Sequence, residues 1–420
     1  MATNVTLRKL LHRKSWEMCT PSTSALSASN TANGSFVASD KFNIIPNSLC
    51  FFVNGASGIY RYDGDEDSWV QLPNSGIAGT FGAGSCGELR GLGAMGGAFI
   101  QTCTAGGTAS ITTAKTIVRQ LTGCRIRVIA GTGVGFDGRV SYNTIGANAI
   151  IYTSGSTTYD ATTQFQVYSG SLWFFNAGSG AVGFSVYDLA TNAWTAKSVT
   201  NLPTTFGTDG RLVSTSGCSA YFATGTATAG ASTTLTNSAK SWVVNMWANY
   251  QVRIVSGTGA GQIRTIASNT ATVLTVSSSW TVNPDATSVY KIEGNDDFFY
   301  LLGNNAVTLY KYVVSTNTWA TLTPASARAA AAGAGCSASW ITNASWTLTA
   351  ADVPTLLYPS ASGYGQNGRY IFSFRGGASS AIDVYDIAGN TWISTISYGN
   401  QNETFTTGTT SCDDGQNIVS

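Results

Sequence analysis

Few side chains in this sequence could do chemistry, and their spacing limits what they could do. The one histidine, His12, lies in a basic N-terminal segment. Ser-His-Asp, Cys-His and His-metal arrangements therefore cannot be assembled in the body of the chain. The eight cysteines include no Cys-x-x-Cys pair, so metal binding is not expected, and in a chain of this length free thiols are the default. Four of them (Cys86, Cys218, Cys336, Cys412) recur after a repeated tryptophan, which marks one small buried position per repeat. Carboxylates cluster at Asp65-Glu66-Asp67 and Asp296-Asp297, beside turns where solvated caps account for them. Arg211, Arg253 and Arg264 are too scattered to define an anion site. No catalytic, cofactor-binding or metal-ligating residue is assigned.

Two further patterns invite functional readings. Gly131-Thr132-Gly133-Val134-Gly135 and Gly257-Thr258-Gly259-Ala260-Gly261 resemble phosphate loops in outline. A phosphate loop needs a helix directly after the glycines, whereas Arg139-Val140-Ser141 and Arg264-Thr265-Ile266 continue as strand, so a hairpin turn or bulge is expected. The exposed aromatics of an insertion, such as Trp242, Trp247 and Tyr250, could stack on a sugar. Trp16, in the basic amphipathic stretch Leu7 to Trp16, could dock on a partner as a helix or arm, or belong to a frayed terminus.

The elements that position these residues are strands. A phrase occurs four times in which an apolar run ends in Tyr and a Trp follows seven residues later: Tyr62 and Trp69, Tyr187 and Trp194, Tyr312 and Trp319, Tyr385 and Trp392. Turn formers such as Asp63-Gly64-Asp65 and Gly389-Asn390 fall between them, which suits strand, turn, strand. Upstream of each phrase lies a second apolar run ending near glycine: Leu49–Val53, Leu172–Phe175, Phe298–Leu302 and Tyr370–Phe374. Each unit should thus hold at least three antiparallel strands.

An apolar strand ending near Gly or Gly-Gly, then Tyr-Asp (Tyr62-Asp63, Tyr187-Asp188, Tyr385-Asp386), then Trp, resembles the kelch blade, degenerate here because Val313 replaces the third Asp and the full double glycine stands only at Gly376-Gly377. The resemblance implies an all-β, kelch-like β-propeller of four recognisable blade units, with the eight repeat aromatics packed in the blade cores. It leaves open whether the last strand, Glu403 to Cys412, closes the ring. Copper-radical propeller oxidases are excluded by the histidine count, and neither a sialidase-like nor another glycosidase site is indicated.

The spacing shows more than blades. Tyr62 to Tyr187 and Tyr187 to Tyr312 are each 125 residues, whereas Tyr312 to Tyr385 is 73. A kelch blade needs about 50, so the first two intervals carry extra chain, and the extra chain is duplicated: Arg127 to Gly135 matches Arg253 to Gly261. The expected organisation is an N-terminal arm (1–40), a blade (41–93), a small inserted β-domain (94–168), a blade (169–217), a second inserted β-domain (218–294) and the remaining blades (295–420). The alanine-rich stretch Ala325 to Ala334 reads as small-residue strand, turn or a short helix.

Charged residues are 10% of the 420 and the formal net charge is +1, which gives no field for nucleic acid or an acidic membrane. No run approaches a membrane span, and Leu10-Leu11 is too short an apolar region for a cleaved signal peptide. A charge-poor, Ser/Thr-rich surface fits a protein packed against copies or partners, and it fits an exposed secreted surface too. Together with the repeats and the duplicated insertions, it resembles bacteriophage virion proteins of the tail or head-to-tail region. That resemblance implies partners that are other virion proteins and copies of the chain, and a location in the virion after assembly in the host bacterial cytoplasm. The alternative is a carbohydrate-binding adhesin or receptor-binding protein that contacts host surface glycan.

Overall fold

The computed structural model describes residues 36–38, 48–54, 58–63, 68–79, 84–90, 101–118, 121–122, 124–168, 171–178, 181–188, 191–204, 206, 210–215, 221–303, 306–331, 336–340, 368–377, 379–397, 412–413 and 418–419. Among these residues there is no helix, and the fold is all-β. Four sheets share one plan, four antiparallel strands in consecutive order. The first holds Phe36–Ala38, Ser48–Asn54, Gly58–Asp63 and Ser68–Gln71. The second holds Cys86–Arg90, Ser171–Gly178, Ala181–Asp188 and Ala193–Lys197. The third holds Arg211–Ser214, Phe298–Leu302, Leu309–Val313 and Thr318–Thr321. The fourth holds Ser337–Trp340, Tyr370–Gly376, Ser379–Asp386 and Thr391–Ser397. Each sheet has one strand more than the three that the apolar runs required, and the first begins inside the stretch expected to be an arm. The strand of Phe36–Ala38 was missed because three small or apolar residues carry no alternation to read.

The repeated phrase is a hairpin with fixed register. Tyr62 faces Trp69, Tyr187 faces Trp194, Tyr312 faces Trp319 and Tyr385 faces Trp392 as direct cross-strand partners. In three of the four, the Tyr hydroxyl donates to the side-chain oxygen of an asparagine five residues on: Asn192, Asn317 and Asn390, at 2.5, 2.6 and 2.7 Å. Each of those asparagines has positive φ, a turn conformation that Asn tolerates better than other residues bearing a Cβ. The turn residue and the buried ring thus fix each other. Removing the Tyr312 hydroxyl (Tyr312→Phe) should cost about 1 kcal/mol. Asn317→Ala should cost about 2 kcal/mol, because the buried hydroxyl then loses this acceptor and a Cβ residue without a polar side chain must hold φ > 0; denaturant midpoints of the two variants check this.

Both faces of the central strands Ser171–Gly178 and Phe298–Leu302 are apolar because both are covered. Leu172 and Phe174 join Ile59 and Leu72 of the first sheet in one cluster, while Trp173 and Phe175 join Phe299 and Leu301 of the third in another. Phe298, Tyr300 and Leu302 point the other way, to Ile371 and Tyr385 of the fourth. Alternate residues of one strand therefore serve two neighbouring sheets. The segment after the fourth strand of each of the first three sheets crosses to the next sheet. Asn176 Nδ2 donates to Ala78 O at 2.8 Å, Asn201 Nδ2 to Trp319 O at 3.0 Å, and Trp392 N to Ser326 O at 3.2 Å. First strands lie side by side in chain order, Phe36–Ala38 next to Cys86–Arg90, then Arg211–Ser214, then Ser337–Trp340, then Cys412–Asp413. Of the expected last strand Glu403 to Cys412, only Cys412 is among the described residues, and it pairs in a two-stranded sheet with Ile418–Val419. Residues 325–331 of the alanine-rich stretch form bends and loop, neither strand nor helix.

The chain leaves the second and third sheets after their first strand and returns to the second. The first excursion is a closed six-stranded barrel of Ile150–Thr153, Ser110–Thr113, Gln101–Gly107, Gln164–Tyr168, Arg125–Ala130 and Asp137–Asn143. In the second, the order is Tyr221–Thr226, Val289–Glu293, Gln251–Ser256, Ile263–Asn269, Val273–Val276, Thr234–Thr236, Ala229–Ala231. This is the same cyclic order, opened where the long first strand is interrupted at Ala227-Thr228. Registers coincide as well: Ile126 pairs Val167 as Val252 pairs Ile292, and Ile111 pairs Ile151 as Leu235 pairs Leu274. The two excursions are copies of one module.

Candidate functional site

Six of the eight repeat aromatics are buried: Tyr187, Trp194, Tyr312, Trp319, Tyr385 and Trp392. They pack ring to ring within each hairpin, with centroids 5.1, 5.0 and 5.3 Å apart. For Tyr62 and Trp69 only the backbone pairing is described. Trp16, His12 and Asp65-Glu66-Asp67 lie outside the described residues. Trp247 and Tyr250 are 5% and 2% exposed, and with half-buried Trp242 they form part of the second module's core around Tyr290 and Phe222. A sugar would find no open ring face on Trp247 or Tyr250, because burial has already used both as packing. Cys86, Cys103, Cys124 and Cys336 are free thiols in buried positions; burial pushes Cys86 and Cys124 up to about 12, which keeps them protonated and unreactive at neutral pH. Among the described residues no group of three His, Cys, Asp or Glu side chains gathers where a metal could bind.

Each glycine-rich turn joins two antiparallel strands of its module and is clasped from outside by a short acidic motif. In the first module the Thr132 hydroxyl donates to Asp160 Oδ2 at 2.7 Å and Thr163 Oγ1 to Thr132 O at 2.7 Å. In the second, Thr287 N donates to Asp285 Oδ1 at 2.7 Å and Ser288 Oγ to Thr258 O at 2.6 Å. Hydrogen bonds from Thr162 and Thr287, the largest cause, hold the carboxyls of Asp160 and Asp285 below their usual range. The signal was present in the sequence as Asp160-Ala-Thr-Thr and Asp285-Ala-Thr-Ser, 125 residues apart (160 to 285). A second missed pair is Asn143 and Asn269, whose side-chain oxygens accept from Leu121 N at 2.6 Å and Trp247 N at 2.8 Å.

The two modules meet through equivalent surfaces. A Cβ on Gly135 would overlap the Val255 carbonyl oxygen, and one on Gly261 would overlap that of Ile129; Gly135 is the counterpart of Gly261, and Val255 that of Ile129. The contact therefore has local pseudo-two-fold character. At its centre lie the counterparts Arg127 and Arg253, 1% and 3% exposed. Arg127 Nη1 donates to Glu293 Oε2 at 3.1 Å and Arg127 Nε to Asp137 Oδ2 at 3.0 Å. Arg253 Nη2 donates to Glu293 Oε1 at 2.9 Å and lies 3.5 Å from Asp137 Oδ2. Two buried cations face two acids, so the cluster is neutral, as burial demands. Each module is tied to the sheets as well: Lys115 Nζ lies 2.6 Å from Asp188 Oδ2, and Asn249 Nδ2 donates to Ile387 O at 3.0 Å.

Beside this interface a cleft of about 590 Å³ opens between both modules and the third sheet, within the size range of small-molecule sites. Amides line it: Gln164 and Gln166 from the first module, Gln251 and Gln262 from the second, with Asn295, Asp296 and Asp297 at the return to the third sheet. The chain matches no protein-family model and no curated protein.

Proposed function

We propose that the four sheets are consecutive blades of a kelch-like β-propeller. The protein is, on this proposal, a structural component of a bacteriophage virion, in the tail or neck, assembling through its propeller and its two inserted modules. It acts by binding and not by catalysis. The observation that carries the reading is the repeated plan: four sheets of identical strand order, each with its Tyr–Trp hairpin, their first strands side by side, and a duplicated module projecting from two of them at the same point. Such a body offers large rigid surfaces for packing, and the charge-poor sequence lowers the desolvation cost of covering them. Mass spectrometry of purified particles should find the chain at a fixed copy number, and a particle map should place a disc with two lobes at the neck or tail. A stable monomer absent from the particles would reject the proposal.

A further inference from the structure

The two copies diverge in chemistry along the cleft between them. Strand register makes Gln164 the counterpart of Val289 and Gln166 that of Lys291, while Arg264 is the counterpart of Gly138. Gln262 and Phe136 are also counterparts, since each backbone carbonyl accepts from the matching strand, from Ile254 N and Val128 N. Elsewhere the copies keep the same glycine turn, the same Asp-Ala-Thr clasp and the same buried asparagine. On the cleft side the set is amide and hydroxyl; on the matching side of the pseudo-two-fold it is Val, Lys and Phe. A cleft that served packing alone would not need amides that the protein leaves unbonded. Gln166 Oε1 is buried without a hydrogen-bond partner, a cost of about 1–3 kcal/mol unless something in the cleft donates to it.

The charges in the cleft restrict what could fill it. Each nitrogen of Arg264 already donates within the protein, three of its five N–H groups in all: Nε to Ser279 O at 2.9 Å, Nη1 to Ile263 O at 2.8 Å, and Nη2 to Thr281 Oγ1 at 3.1 Å, while its guanidinium covers the Trp280 ring at 5.6 Å. Its orientation is thereby set by the protein and not by a guest, and Asp296 and Asp297 at the far wall repel anions. The Gln262 amide is fixed by Thr281 N and Val282 N on its oxygen and by Gly259 O and Val282 O on its nitrogen, which makes it a wall and not a probe. Free to bond a guest are the amides of Gln164 and Gln166 and the hydroxyls of Ser277 and Ser278. That set matches a neutral ligand rich in hydroxyls, each of which both donates and accepts.

We propose that this cleft binds a neutral oligosaccharide segment, with the Gln164 and Gln166 amides and the Ser277 and Ser278 hydroxyls reading its hydroxyls. The site differs from a stacking platform: recognition is by amide and hydroxyl hydrogen bonds in a groove, and the nearby Trp280 indole is already covered by Arg264. The proposal goes beyond the virion reading and does not depend on it, since it is tested on the isolated chain.

The purified full-length chain is applied to an array of neutral, N-acetylated and sialylated glycans, and the best neutral hit is titrated calorimetrically. Binding to neutral glycans is expected, weakened at least tenfold by Gln166→Leu and by Ser278→Trp, which fills the cleft from an exposed position without touching a core residue. Tyr142→Ala, on an exposed face outside the cleft lining, should bind as the parent does. Absence of glycan binding, a preference for sialylated glycans, or neutral binding that survives Ser278→Trp would overturn the proposal. None of these outcomes bears on whether the chain is found in particles.

Discussion

Glu293→Ala should lower stability by about 3–5 kcal/mol, the cost of removing one partner from a buried ion pair and leaving the other uncompensated. Glu293 is 2% exposed and accepts from Arg127 Nη1, Arg253 Nη2 and, at 3.4 Å, Gln251 Nε2. Its loss leaves two guanidinium groups sharing Asp137 alone. The effect should fall on the module pair first: hydrogen exchange at Val255 and Ile129 should accelerate before that of the four sheets. Replacing the set together, Arg127→Met and Arg253→Met with Glu293→Met and Asp137→Leu, should recover most of the loss, because the charges hold register and contribute little net energy. The pH dependence has a definite sign. Burial alone would raise the Glu293 carboxyl, but Arg127 and Arg253 outweigh it and hold the group below its usual value of 4.5. Its contribution is therefore present above pH 4.5 and is lost as pH falls through the lower, folded-state value. The stability difference between parent and Glu293→Gln should be constant above pH 4.5 and shrink below it. A difference that did not change down to acid unfolding would remove Glu293 from the ionic cluster.

What the sequence made legible and what it hid separate along one line, the distance in sequence between partners. The Tyr–Trp hairpins could be read because both strands and their turn fit in a short window, so apolar runs and turn formers suffice. The duplicated modules could be read because Arg127 to Gly135 and Arg253 to Gly261 repeat almost residue for residue. The first strand of the third sheet was not legible: Arg211–Ser214 is short and pairs with Phe298–Leu302 across a whole inserted module. Closure of the first module into a barrel is hidden in the same way, since neighbours such as Gln101–Gly107 and Gln164–Tyr168 are far apart in the chain. Trp247 and Tyr250 were assigned to a surface because an insertion offers surface. Nothing local tells that Tyr290, forty residues on, closes over the same core (250 to 290). Glu293 and Arg127 are 166 residues apart, so no window could have joined them. The cleft inherits this limit: its walls come from both modules and from the return to the third sheet, and only register within the duplicated pair shows which residues face one another.

Register also gives the second large effect. Gly261→Ala should cost about 2–5 kcal/mol, from two sources that a control can separate. The residue has φ of +87°, where a Cβ adds about 1–2 kcal/mol of strain. The added Cβ also meets the Ile129 carbonyl oxygen and crowds Val134 Cγ2 of the other module, an overpacking cost of about 1–3 kcal/mol that backbone cannot relieve by changing rotamer. Gly146, with φ of +119° and nothing within 4 Å of a built Cβ, carries the strain without the contact. Gly146→Ala should therefore cost about 1–2 kcal/mol, and the excess of Gly261→Ala over it measures the module–module contact. Gly135→Ala, the pseudo-symmetric change, meets the Val255 carbonyl oxygen less closely than Gly261→Ala meets that of Ile129, so it should cost more than Gly146→Ala and less than Gly261→Ala. Because the cleft is built across this same contact, Gly261→Ala should also weaken any ligand held there, whereas Gly146→Ala should not. Equal denaturant midpoints for Gly261→Ala and Gly146→Ala would mean that the two modules do not touch at this point.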